Sequence, residues 1–217
     1  IRQGSNFELD VVNDLVEDVK KVNRQGIMPT DLGKAEMNLW GAGIYNDFNT
    51  SNDFRPLVIR SEGGNASNDN GKVVTIKGIA TGNEYIVENV TLAGTSNAFT
   101  IGEYKFIGDM FLKDGGQVEG DYIICADTQT GVPYNYMDGV SNKTTSLAYT
   151  VPSETSSIIT DISLNGRTNL VNDSIFNLKK INFTSNSVES LYQNRTADAD
   201  INTVVPLNIK LDAGDCI

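Results

Sequence analysis

The side chains best suited to chemistry in this sequence are carboxylates and amides gathered at turns. Asn68-Asp69-Asn70-Gly71 has the oxygen-rich, glycine-terminated look of half a calcium loop. Such a loop needs a bidentate Glu further on. Register set by Gly71 puts Lys77 there and register set by Asn68 puts Ile79 there, which excludes an EF-hand. The stretch reads instead as a solvated turn whose Asn and Asp tolerate left-handed backbone. Asp212 and Asp215, flanking Ala213-Gly214, could touch a cation but also make an ordinary turn.

Carboxylate pairs can hydrolyse glycosides when held about 5 to 9 Å apart in a cleft. Sequence supplies no such distance, and one Trp with 8% aromatics leaves few platforms for a sugar. Cys125, in Tyr122-Ile123-Ile124-Cys125-Ala126, reads as a small core residue, whereas Cys216 could be exposed. Two cysteines make no Cys-rich metal site, and nothing in their pattern supports a disulfide. The chain has no His. That removes Ser-His-Asp and Cys-His nucleophiles, His-ligated zinc and a ready base near neutrality. The expectation is a protein that is not an enzyme, with no catalytic residue, no metal and no cofactor.

The elements that would position any site are mostly strands. Residues 7–22 alone carry a helical period, with Leu9, Val12, Leu15, Val19 and Val22 in one stripe widened by Val16. Its acidic residues fall early and its lysines late, as a helix dipole prefers. From about residue 55 the text becomes short Val/Ile/Thr/Tyr/Phe runs separated by Gly, Asn and Asp. Strands are expected over 57–60, 72–79, 84–92, 99–112, 121–126, 146–151, 156–164, 178–183 and 204–211. Alternation with polar residues implies antiparallel sheets with one wet face each. Ser61 to Gly71 reads as a long flexible surface loop. The fold expected is all-β: an antiparallel β-sandwich of jelly-roll type over 55–217, preceded by a helical or extended arm and lead-in over 1–54.

With 17 Lys+Arg against 28 Asp+Glu the net charge is −11. That argues against nucleic acid, whose recognition needs a basic face, and against an anionic membrane surface. No apolar run approaches the roughly 20 residues that span a bilayer.

Several segments, in order, resemble a family of structural proteins of tailed bacteriophages, particularly marine ones. They are Asp10-Val11-Val12 through Val22-Asn23-Arg24-Gln25-Gly26 with Asn38-Leu39-Trp40-Gly41-Ala42-Gly43; Val73-Val74-Thr75-Ile76-Lys77-Gly78-Ile79 with Asn83-Glu84 and Glu88 to Thr95; Leu147-Ala148-Tyr149-Thr150-Val151-Pro152; and Pro206-Leu207 with Leu211-Asp212-Ala213-Gly214-Asp215. The middle group is the most distinctive. Ser153-Glu154-Thr155 departs from the glycine-containing turn expected after Pro152.

The resemblance implies a virion component. The reading favoured with it is a capsid-associated auxiliary, decoration or vertex protein, homo-oligomeric, on the exterior of the particle and assembled in the host cytoplasm. Acidic charge suits an outer surface better than one facing packaged DNA. Contacts to other virion proteins or neighbouring copies are expected at Leu9, Val12, Leu15, Val19 and Trp40, although Trp40 also fits a core plug. The alternative is a tail or head-fibre module binding a host surface receptor or glycan through the loops 61–71 and 129–143, where Tyr134 and Tyr136 could stack on a sugar. A third reading is a secreted carbohydrate-active β-sandwich.

Overall fold

The computed structural model describes residues 56–127, 133–138, 148–166, 174–196 and 201–217. Strands β1 (Pro56–Glu62), β2 (Val73–Ala80), β3 (Tyr85–Thr91), β4 (Ala98–Leu112), β5 (Tyr122–Asp127) and β6 (Pro133–Asp138) form one antiparallel sheet in the order β3-β2-β4-β1-β5-β6. The remaining strands make two smaller sheets. β7 (Ser157–Gly166) pairs with β10 (Ile201–Leu211), while β8 (Ser174–Asn182) pairs with β9 (Ser187–Thr196) on one side and β11 (Asp215–Cys216) on the other. The described residues are thus all-β apart from one 3-10 turn, with antiparallel sheets as the alternation implied.

The β2–β3 hairpin shows how local sequence sets the frame. Its strands pair from Val73↔Thr91 to Ile79↔Tyr85, and Asn83 takes a left-handed φ of 69° in the turn between them. Val74, Ile76, Val90 and Leu92 point to one side and join Leu57, Ile59, Tyr104, Ile107, Met110, Leu112, Ile123, Cys125 and Met137 in the main core.

Strand β4 bends the sheet into a curled half-barrel. Residues 98–103 pair with β1 and residues 104–112 pair with β2. Register shifts leave Lys105 and Gly108 as extra residues opposite β2, and such bulges sharpen bend and twist. Gly108 is required by contact: a Cβ there would run into the backbone and side chain of Thr150. The bulges also turn Phe106 to the other face, where it packs with Ile79, Cys216, Tyr85, Ala148, Ile181 and Phe183.

Several expectations are corrected. The 61–71 segment is not a flexible loop: a 3-10 turn, Ala66–Asp69, holds it, with Ala66 and Asp69 buried. β2 has no wet face toward its end, because the second cluster covers Ile79. Residues 148–151 form no strand. Only Thr150 bridges, to Cys216, with Tyr149 and Val151 bonding Ile217 and Asp215, because the partner segment is short and Pro152 follows. Part of the expected 129–143 loop is β6, and β9, whose Val188, Leu191 and Tyr192 fall at no regular spacing, carries no usable period. Phe183 lies in the turn after β8.

Candidate functional site

The most highly organised polar group is the Asp69 carboxylate. It sits at the end of the 3-10 turn and is fully buried. Oδ1 accepts from Lys72 Nζ (2.7 Å) and from the Glu119 amide (2.9 Å), while Oδ2 accepts from Ser61 Oγ (2.5 Å) and the Gly120 amide (3.0 Å). Burial works to raise its pKa, but the bonds from Lys72, Ser61, Glu119 and Gly120 outweigh that and hold it below the usual carboxylate value. Lys72 Nζ also donates to the Gln117 carbonyl and stands 3.7 Å from Glu119. The solvated turn expected here is therefore a buried staple between β1, its following turn and the 117–120 segment. Its partners lie up to 51 residues away, so no local signal could have shown it.

Two further carboxylates are used the same way. Asp215, also buried, accepts from Asn182 Nδ2 (2.7 Å) and from the Asp212 amide (2.9 Å), which fastens β11 to β8. Glu88 on β3 accepts from the Ile101 amide (2.5 Å), the Gly102 amide (3.0 Å) and the Tyr104 hydroxyl (3.3 Å), tying the first half of β4 across the hairpin. Burial and the Glu88 charge push the Tyr104 phenol far above its ordinary pKa.

Both cysteines are free and buried. Burial raises the Cys125 thiol strongly, with the Glu88 charge adding to it. Burial pushes the Cys216 thiol up to about 12, against the opposing Thr150 contact. The expectation that Cys216 could be exposed fails, because the strand bridge to Thr150 seals it in. Among the described residues no group of three or more His, Cys, Asp or Glu is arranged to hold a metal ion. Among the same residues no helix is long and apolar enough to cross a membrane.

Several large apolar side chains are also exposed. Ile101 is 91% exposed and Phe99, two residues before it on β4, is 56% exposed. Val87 on β3, Ile158 on β7, Val188 on β9 and Val204 on β10 are each more than half exposed. The β7–β10 ribbon shows a regular alternation along β10, with Val205, Leu207 and Ile209 half-buried between exposed neighbours. The expected contact residues Leu9, Val12, Leu15, Val19 and Trp40, with the whole 1–54 arm, lie outside the described residues. Tyr134 and Tyr136 are placed on β6 rather than on a loop. Tyr134 packs partly against the main core, and Tyr136 stands in register with Ile124.

The carboxylates of Asp69, Glu88 and Asp215 each accept bonds from donors of the fold itself and tie separate segments together. No protein-family model matches the chain, and no curated protein or solved structure shows a significant similarity to it.

Proposed function

We propose that this chain is a structural component of a bacteriophage virion, built on a β-sandwich of jelly-roll type. It acts in particle assembly and stability as a capsid-associated auxiliary, decoration or vertex protein. It meets neighbouring copies and other virion proteins, and sits on the exterior of the particle after assembly in the host cytoplasm. The observation that carries this reading is the display of large apolar side chains on regular strands, foremost Ile101 and Phe99 on β4. Exposed apolar strand surface is what a protein that pairs surfaces requires. Segments that resemble phage structural proteins also meet in space. The Gly214 amide donates to the Val151 carbonyl (3.0 Å) and the Val151 amide to the Asp215 carbonyl (2.9 Å).

The receptor- or glycan-binding alternative draws less support, because Tyr134 spends part of its ring on the core. Labelling this protein on purified particles and locating the label by cryo-EM tests the proposal. Density on the shell is expected. A position at a tail tip overturns the capsid role, and absence from particles overturns the virion role.

A further inference from the structure

We propose that the outer face of β1 and β5 is the seat of the chain's own N-terminal segment: residues 1–55 fold back over Val58, Ile124 and Ala126, with Trp40 as the anchoring side chain. The inference concerns the domain itself and does not rest on the virion reading.

Alternation divides the two strands between two environments. Leu57 and Ile59 on β1, with Ile123 and Cys125 on β5, enter the main core. Val58, Ile124 and Ala126 alternate with them and so belong to the opposite face. Register makes them neighbours, with Val58 opposite Ala126 and Arg60 opposite Ile124. An uncovered face of an antiparallel sheet is wet. These three side chains are instead 4%, 5% and 0% exposed. None belongs to either described core cluster. The main described neighbours of β1 and β5 are β4 and β6, beside them in the sheet, and the 3-10 turn, held through Ser61 on the core side. A face this dry needs a second layer, supplied from outside the described residues.

Three observations select residues 1–55 as that layer. The chain enters β1 at Pro56, two residues before Val58, so the segment arrives at the covered place. The cover is local. On the same face Tyr122, beside the far end of β1, is 37% exposed, and Phe99, across from Val58 on β4, is 56% exposed. The third observation is composition. Segments 128–132, 139–147, 167–173 and 197–200 offer only Val132, Val140, Leu147, Leu170 and Val171 as larger apolar residues. Residues 39–54 alone hold Leu39, Trp40, Ile44, Tyr45, Phe48 and Phe54, and Trp40 is the one Trp of the chain. Aromatic side chains bring the largest apolar area to such a layer.

The lone Trp makes the test direct, since Trp emission of the full chain reports Trp40 and nothing else. Phe99→Cys places a thiol at the margin of the covered face, at an exposed position that tolerates the change, while Cys125 and Cys216 are buried away from reagents. A dansyl label on that thiol is expected to quench Trp40 emission several-fold by energy transfer, equally at high and low protein concentration. Unlabelled full chain should show the blue-shifted emission of a buried indole, and Ala126→Asp should shift it to the red. Solvent-exposed emission from the unlabelled chain, or a label that leaves Trp40 unquenched, overturns the proposal. Transfer that fades on dilution assigns the layer to a second copy and also overturns it. An Ala126→Asp protein that folds and keeps the blue-shifted emission counts against it as well; if that variant fails to fold, the labelled chain decides.

Discussion

Ser61 Oγ donates to Asp69 Oδ2 over 2.5 Å, joining the end of β1 to a turn eight residues later in the chain. The bond closes a buried site whose other donors come from Lys72, Glu119 and Gly120. One carboxylate thus determines whether two loops and a central strand hold together.

Asp69→Ala is expected to destabilise the protein by about 3–5 kcal/mol, since it strands a cation and several buried donors at once. Ser61→Ala removes one donor only and should cost about 1 kcal/mol. Urea unfolding of the two variants measures the difference. If Asp69→Ala unfolds at the wild-type urea concentration, the staple has no energetic role.

The same group sets an acid limit. Its folded pKa lies below the ordinary value near 3.8, so the folded state binds fewer protons than the unfolded chain in that window. The stabilisation is present above pH 4 and is lost as pH falls through the folded pKa. Unfolding midpoints followed from neutral to acid pH should drop in the wild type and drop less in Asp69→Asn. Equal slopes in the two proteins would remove Asp69 from the acid transition.

Cys216 sets an alkaline limit of opposite sign. Its thiol is raised from a usual value near 9 to about 12, so the unfolded chain loses this proton first. Stability is expected to fall as pH rises above about 9, and the fall should be smaller in Cys216→Ala. Neither cysteine should react with a thiol reagent until denaturant is added. Rapid labelling of native protein would show that the buried placement of these thiols is wrong.

Gly108→Ala should cost about 1–3 kcal/mol, because a methyl at the bulge strikes Thr150 and the backbone must shift. The shift falls on the segment that holds Cys216, so the variant's Cys216 thiol should label faster than the wild-type thiol. A variant with unchanged melting and labelling would mean that this seam is loose.

Glu88→Gln is expected to speed amide exchange at Ile101 and Gly102 and to destabilise by about 1–3 kcal/mol. A carboxamide cannot accept at both ends as the carboxylate does. Unchanged exchange at these two amides would show that β4 holds its bend without the tie.

The strands were legible where apolar and polar residues alternate, as in Val73–Ile79 and Glu84–Leu92, because period two is a local property. β6 and β9 were not. Pro133-Tyr134-Asn135-Tyr136 mixes turn and strand formers, and Ser187–Thr196 earns its pairing from β8 rather than from its own pattern. Asp69 was visible as a residue and misread as solvated. Its burial depends on Gly120 and Glu119, some fifty positions away, and pairwise distance is not written in a local motif. The bulge at Gly108 was equally hidden, since only the arrival of Thr150 explains it.

The place of β1 between β4 and β5 has a consequence for how the chain is made. Both partners of β1 are synthesised after it, and the second is complete only at Asp127. At about 5–20 residues per second, Leu57, Val58 and Ile59 are synthesised roughly 3 to 14 s before Asp127, the end of β5. A greasy strand in that interval is a target for chaperones and for neighbouring nascent chains. Expression yield is therefore expected to respond to translation pace over residues 63–127 as well as to the stability of the finished fold.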